Sequence, residues 1–251
     1  MSENRNLKIS IVTVCFNSAK TIETTLKAMA RQQYSNIEYI IVDGASTDNT
    51  MDIINKFRNV MPFETKVISE KDSGIYDAMN KGIKASTGDI IGIVNSDDWY
   101  EDNAILEVVK AYSGDDYEVI YGMKRVIENE MEKAIEFRNH NFLRQQMICH
   151  PACFVTRKTY EKFGLFDLSY KSSADYDFML RLYESKMVKF VPVYKILTNF
   201  RTGGMSFSQI GYRETLKIKY RNRMITRSKY ITNTLKSYIS EFAINPPKIF
   251  N

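Results

Sequence analysis

Along the N-terminal part of the chain, short apolar runs alternate with segments of helical spacing. Ile9 to Phe16 is an unbroken run rich in β-branched residues, the pattern of a buried strand. Thr21 to Arg31 places apolar residues at Ile22, Leu26, Met29 and Ala30, which predicts a helix. Ile37 to Val42 predicts a second strand, closed by Asp43-Gly44. The polar turn Ala45 to Thr50 leads into a helix over 51–59. Lys66 to Ser69 predicts a third strand. Gly74 to Ala85 predicts a helix with Ile75, Met79 and Ile83 on one face. Ile90 to Val94 is a fourth strand, ending in Asn95-Ser96-Asp97-Asp98. This alternation predicts a parallel sheet covered by helices and joined by right-handed crossovers.

Beyond residue 100 the pattern loosens. A helix is expected over 103–111, a short strand over 119–121, and a charged hairpin or surface ribbon over 123–137. Phe142 to Met147 reads as a short helix, Ala152 to Thr156 as a strand, and Thr159 to Phe163 as a helix stopped by Gly164. Asp175 to Ser185 predicts a longer helix and Lys189 to Val193 a strand. The loop Arg201 to Ser206 precedes a stretch of helical composition from Gln209 to Ile239. There is no linker and no internal repeat. The chain therefore reads as one domain over 1–206, with halves meeting near residue 100, and a basic helical tail over 207–251.

Composition narrows the class. The chain has 251 residues, 44% of them apolar, enough for a proper core. A net charge of +5 is too weak to argue for nucleic acid. Met1 to Lys8 is polar, and neither a signal sequence nor an apolar run of spanning length follows, so the cytoplasm is the expected location. Cys15, Cys149 and Cys153 lack a paired spacing and read as buried thiols.

The candidate chemistry gathers at strand ends. Asp97 and Asp98 interrupt an apolar strand, and open α/β sheets bind ligands at the carboxyl ends of their strands. Adjacent carboxylates there suit Mg²⁺ or Mn²⁺, which suits a diphosphate. The same stretch fits a helix cap equally well. After the first strand, Asn17-Ser18-Ala19-Lys20 is neither GxGxxG nor GxxxxGK[ST]. A nucleotide held here needs carboxylates and a metal in place of a glycine loop. Asp43, an acceptor-only carboxylate, can meet a base or ribose, or simply open the turn before Gly44.

Four motifs follow in order: Ile-Val-Thr-Val-Cys-Phe-Asn (11–17), Ile-Ile-Val-Asp-Gly-Ala-Ser-Thr-Asp-Asn-Thr (40–50), Lys-Asp-Ser-Gly-Ile-Tyr-Asp-Ala-Met-Asn-Lys-Gly (71–82) and Asn-Ser-Asp-Asp (95–98). They continue through His-Pro-Ala-Cys-Phe (150–154), Gly-Leu-Phe-Asp (164–167), Ala-Asp-Tyr-Asp-Phe (174–178) and Gly-Gly-Met-Ser (203–206). The series resembles family 2 glycosyltransferases of the bacterial cell-surface polysaccharide type. The resemblance implies an α/β GT-A fold: a Rossmann-like nucleotide half with a mixed, mostly parallel sheet, plus the basic C-terminal tail. It also implies a nucleotide-sugar donor, with a UDP-sugar expected, and inverting transfer to a hydroxyl of a growing, lipid-linked glycan.

The family's Asp-x-Asp metal motif stands here as Asn95-Ser96-Asp97, followed by Asp98. Asp97 and Asp98 are the implied ligands of Mn²⁺ or Mg²⁺, and Asn95 removes one charge. The family's general base lies in an acid pair opening a helix, here Ala174-Asp175, which implies Asp175, with Asp177 its competitor. Thr13, Asn17 and Asp43 are implied nucleotide contacts. Asp72 and Lys81 are implied donor contacts, although Asp77 and Lys81 also read as a surface ion pair. His150 can meet the diphosphate or the acceptor, or be a satisfied structural histidine. The loop Gly203 to Ser206 is a candidate lid.

The tail interleaves basic residues, Arg213 to Lys236, with Tyr212, Leu216, Ile218, Tyr220 and Leu235. Such a helix fits a membrane surface, on the inner face of the cell membrane, or packing on the domain or on a second copy in a homodimer. Two other classes stand beside the enzyme reading. One is a sugar nucleotidyltransferase, which should carry the missing glycine loop. The other is a non-catalytic binding or assembly subunit, to which Asn95 and Ala174 lend support.

Overall fold

The computed structural model describes residues 6–203 and 208–244. In the first half β1 (Ile9–Cys15), α1 (Ile22–Ala30), β2 (Ile37–Asp43), α2 (Thr50–Arg58), β3 (Glu64–Ser69), α3 (Ile75–Ala85) and β4 (Ile90–Asn95) alternate as the sequence predicts. Then follow β5 (Trp99–Tyr100), α4 (Ala104–Ala111), β6 (Glu118–Glu128), β7 (Met131–Glu136), β8 (Cys153–Thr156), α5 (Arg157–Phe163), α6 (Ala174–Ser185) and β9 (Lys189–Arg201). The helices α7 (Gln209–Arg221) and α8 (Arg227–Ile244) close the described chain. The strands form one sheet in the order β3-β2-β1-β4-β8-β6-β9-β5, with β7 paired to β6. Pairing is parallel from β3 to β4 and again between β6 and β9, and antiparallel where β8 joins β4 to β6.

Strand alternation sends side chains to two cores. Val12 and Val14 join Ile40, Val42, Ile91 and Ile93 beneath α3 and α6. Ile9, Ile11 and Cys15 join Ile37, Tyr39 and Ile41 beneath α1 and α2. Burial on both faces explains why these strands read as continuous apolar runs. Gly82 lets α3 settle close onto β1, because a Cβ there would stand 2.2 Å from Val12 Cγ1.

The second half departs from expectation in two places. β6 and β9 are far longer than the short strands predicted over 119–121 and 189–193. Their outer parts carry charged residues that weaken the alternation, yet each pairs with the other in parallel up to Ile127 and Arg201. Phe142 to Met147 does not form the expected helix. A 3₁₀ turn covers His140–Phe142, capped by the Asn139 side chain accepting from Asn141 N at 2.9 Å. Gln145 and Gln146 then both donate to the Phe142 carbonyl, which turns the chain away instead of extending a helix. Of the placements left open for the tail, α7 takes the one against the domain. α7 buries Leu216 and Ile218, and Ile218 belongs to the core beneath α3 and α6.

One polar cluster pins the sheet at the end opposite β4's carboxylates. Glu38 is fully buried and accepts from Ser10 Oγ (2.5 Å), Thr87 N (2.6 Å), Thr87 Oγ1 (2.9 Å) and Lys8 Nζ (3.2 Å). Burial pushes its carboxyl up, but the hydrogen bonds from Ser10, Thr87 and Lys8 outweigh it and hold the pKa at about 2. A depressed carboxyl stabilises the fold above its unfolded value, and the contribution fades as pH falls through the folded one. Glu38→Gln should therefore cost roughly 2 kcal/mol at neutral pH. Urea unfolding at several pH values should show the deficit shrinking between about pH 4 and about pH 2. A deficit independent of pH would refute the electrostatic account.

Candidate active site

A cleft of about 950 Å³ opens at the carboxyl ends of β1 and β4. Its walls are the turn after β1, the turn after β4, the first turns of α3 and α6, the segment 145–151 and one face of α7. Asn17, Asp72, Asp97, His150 and Asp175 all reach it.

The turn after β1 is fixed by Asn17, whose φ of 48° lies in the left-handed region that asparagine tolerates. Its N–H donates to Ser46 Oγ at 2.8 Å and its Oδ1 accepts from Thr47 N at 2.8 Å. The turns after β1 and β2 are thereby clamped together. Phe16 lines the cleft beside Asn17 and is 61% exposed, an unusual position for a large aromatic. Asp72 accepts from Gly74 N at 2.9 Å and shapes the entry to α3.

β4 ends in a β-turn, with Asp98 N donating to the Asn95 carbonyl at 3.1 Å. The turn aims Asp97 into the cleft. Burial raises the Asp97 carboxyl, with Arg201 opposing. The Asn95 side-chain Oδ1 is buried with no hydrogen-bond partner, and Asn95 lines the same part of the cleft. An orphaned amide oxygen beside a desolvated carboxylate is a donor set that suits a hard divalent cation. Among the described residues no group of three acidic, histidine or cysteine side chains forms a closed metal cage. Such a cation would draw its remaining ligands from substrate oxygens and water, as Mg²⁺ commonly accepts.

Asp98 is placed differently from expectation. It is fully buried and does not line the cleft. Its Oδ1 accepts from Arg201 N at 3.0 Å, and its Oδ2 from Asn95 Nδ2 at 3.5 Å. Burial, then the neighbouring Asp97, pushes its carboxyl well up. Asp98 ties the turn to the end of β9, while Arg201 also donates to the Asp97 carbonyl at 3.1 Å.

Asp175 is the second residue of α6. Its Oδ1 accepts from both Tyr76 Oη and Tyr176 N at 2.9 Å. Its Oδ2 has no protein partner among the described residues. Glu214 of α7 holds the approach to α6, accepting from Lys171 N (2.7 Å), Ser172 N (2.8 Å) and Ser173 N (3.0 Å). Asp177, the competing acid, pairs with Arg181 at 3.1 Å and does not line the cleft. His150 packs edge-on against Phe166, and burial pushes its imidazole below the usual value, with Asp175 opposing.

Three other expected contacts lie off the cleft. The fully buried Thr13 hydroxyl accepts from Tyr39 Oη at 2.9 Å, because its strand position faces the α1 side of the sheet. Asp43 is fully buried, and its carboxylate is taken up by Ser46 N (3.1 Å), Ser46 Oγ and Ser69 Oγ (2.7 Å). Lys81 is engaged by Glu70 at 2.9 Å and Asp77 at 3.7 Å, the surface ion pair that the spacing also allowed. The lid residues Gly204 to Ser206 lie outside the described residues. The cleft also carries Phe16, Lys20, Lys124, Arg138, Arg201 and Lys219, which motif reading did not single out. An exposed Phe at a strand end was the one available signal.

The sequence pattern described as "Glycosyl transferase family 2" matches residues 10–188. A Mycobacterium tuberculosis protein named as a PGL/p-HBAD biosynthesis glycosyltransferase is 28% identical over 210 residues, covering 83% of this chain and 82% of its own. An uncharacterized glycosyltransferase of the same species is 30% identical over 204 residues, covering 78% of this chain and 76% of its own. In three dimensions the chain is similar to S. aureus TarS in complex with UDP-GlcNAc, with a TM-score of 0.72, 17% identity, and 96% of this chain and 77% of that one covered. It is also similar to a Pyrobaculum calidifontis mannosyltransferase in complex with GDP-Man and Mn²⁺, with a TM-score of 0.71, 14% identity, and 94% and 70% covered. The fold is GT-A. With the family pattern spanning residues 10–188 and a relative 30% identical over 78% of its length, the chain belongs to glycosyl transferase family 2.

Proposed function

We propose that this glycosyltransferase moves a sugar from a nucleoside diphosphate donor, a UDP-sugar, to an acceptor hydroxyl with inversion at the anomeric carbon. The observation that carries the reading is the opening of two carboxylates, Asp97 and Asp175, into one cleft. The neighbours named with UDP-GlcNAc and with GDP-Man and Mn²⁺ support a nucleotide-sugar donor and a divalent cation. The exposed Phe16 ring offers a stacking face for the base. Asp97 and the Asn95 amide oxygen would hold Mn²⁺ or Mg²⁺. When bound, the cation neutralises the diphosphate as a Lewis acid.

Asp175 acts as general base. Tyr76 and the Tyr176 N–H occupy Oδ1, so Oδ2 faces the acceptor. It takes the hydroxyl proton as the acceptor oxygen bonds the anomeric carbon and the bond to the diphosphate breaks. Tyr76 orients the carboxylate, and Glu214 fixes the backbone that presents it.

The acceptor is a glycan carried on a lipid, met at a bilayer surface. No helix of the described residues is long and apolar enough to cross a membrane. The side of α8 turned to α7 mixes a Tyr230–Tyr220 stack with polar contacts, Ser237 to Gln209 (2.7 Å) and Glu241 to Arg213 (2.6 Å). The outer side of α8 shows Ile231, Leu235 and Ile239 at 45%, 57% and 69% exposure. Arg227, Lys229 and Lys236 are exposed on the same helix, and Glu241 is its sole acid. An apolar stripe with basic residues fits an anionic leaflet, and a second copy would bring like charge to like.

Three measurements test these assignments. Asp175→Asn should lower kcat by about 10²–10⁴-fold while leaving nucleoside diphosphate affinity intact. A kcat within about threefold of wild type would remove Asp175 from the role. Asp97→Asn should abolish the Mn²⁺-dependent part of uridine diphosphate binding seen by calorimetry, and unchanged metal dependence would count against it. Leu235→Ser with Ile239→Ser should weaken flotation with anionic vesicles and spare transfer to a soluble acceptor. Undiminished flotation would rule out α8 as the contact.

A further inference from the structure

The charges of the cleft are not evenly matched. Six basic side chains line it: Lys20, Lys124, Arg138, Lys171, Arg201 and Lys219. Lys124 and Arg138 share Glu136 at 3.5 and 3.1 Å, and Arg201 pairs with Glu130 at 3.0 Å. Among the described residues, no carboxylate lies within ion-pair distance of the other three. Lys20 stands on the turn after β1, beside Asn17, where the donor reading places the nucleotide. Lys171 and Lys219 belong to the opposite part of the fold, the α6–α7 wall.

That wall is built around Asp175. Lys171 begins the loop that Glu214 holds in front of α6. Thr215 and Lys219, one turn apart on α7, both line the cleft and so share the face turned to it. Lys219 is half-buried, and its Nζ donates to the Gln145 carbonyl at 2.7 Å. An ammonium has three donors, so two are left. Burial, then the like charge of Lys229, holds its pKa below the usual lysine value. A partly desolvated cation whose bonded partner among the described residues is a neutral carbonyl is costly, and an anion would offset that cost.

We propose that Lys171 and Lys219 form an anion subsite on the acceptor side of the cleft, separate from the donor diphosphate, that takes a phosphate group carried by the acceptor. The word acceptor rests on Asp175 being the base; the subsite itself rests on the two lysines. A phosphate bound there stands on the same wall as the base. The chain therefore selects acceptors whose reacting hydroxyl lies near a phosphate ester, whether the ester belongs to a lipid headgroup or to a soluble phosphosugar.

The test uses the full chain with Mn²⁺ and saturating uridine diphosphate, titrated with phenyl phosphate in a calorimeter. Wild type should bind the ester with the nucleotide site filled. Lys171→Gln combined with Lys219→Met should weaken that binding about tenfold or more, the scale of losing charge-assisted contacts. Uridine diphosphate affinity should be unchanged, and so should that of the control Lys158→Gln for both ligands. Removing a desolvated charge should leave thermal unfolding unchanged or raised, so a lost signal is not a lost fold. Farnesyl phosphate in place of phenyl phosphate distinguishes the sources. Tighter binding identifies a lipid-borne phosphate and equal binding a soluble one, provided both are lost in the double variant. No ester binding to the nucleotide-filled wild type, or equal binding by the double variant, overturns the proposal. Failure of uridine diphosphate to bind would strike the donor reading instead, and phenyl phosphate titrated into the nucleotide-free chain still reads the subsite alone.

Discussion

Parallel pairing of β1 with β4 is the constraint on which the site depends. The register sets Val14 against Asn95, so both strands release their chains at the same level. Parallel neighbours require crossovers, which put α1, α2 and α3 on the sheet faces and leave the carboxyl ends open. The turns that follow then meet directly, and Ser18 Oγ and Ser96 Oγ lie 2.8 Å apart. A one-residue slip would send Asn95 and its neighbours to the other face of the sheet. Asp97 owes its position to that register.

Besides the pairing of β8 with β4 and the shared core, a few polar bridges over long sequence separation tie the second half to this frame. The Asn80 amide exchanges two hydrogen bonds with the Phe166 backbone, at 2.9 and 3.0 Å, and locks α3 to the loop ahead of α6. Tyr76, one turn earlier on α3, reaches Asp175. One helix of the first half therefore positions both the backbone and the carboxylate of the second. The two neutral Asn80 bonds contribute only about 1 kcal/mol each, but leaving a buried partner unpaired costs more. Their effect is to fix geometry more than to add stability.

The first half was legible because its signals are local. Apolar runs, helical spacing and strand-end aspartates each sit within a few residues, and two-sided burial makes the strands read strongly. Its motifs pointed to Asn17, Asp72 and Asp97, and the 174–178 motif to Asp175, and all four line the cleft. What failed was direction. Thr13, Asp43 and Asp98 stand beside cleft residues in sequence, yet strand alternation and turn geometry aim their side chains at Tyr39, Ser69 and Arg201. The long pairing of β6 with β9 was hidden because charged residues occupy its outer positions. Lys124, Arg138, Arg201 and Lys219 could not be found from spacing. Distant segments bring them together, and no local pattern marks them.

The grip of Glu214 on three successive amides changes what counts as one working unit. The matched family pattern ends just after α6, at residue 188, and a helix beyond it looks dispensable in sequence. Yet the loop that leads into α6 and Asp175 is clasped from α7, and α7 is reached only through β9, whose last residue steadies the turn that bears Asp97. The two ends of the cleft are thus strung on one continuous length of chain. A fragment trimmed at the end of α6 would lose β9 from the sheet as well as the clasp. Any recombination among such proteins has to exchange β9 and α7 as a single block if the site is to remain in register with itself.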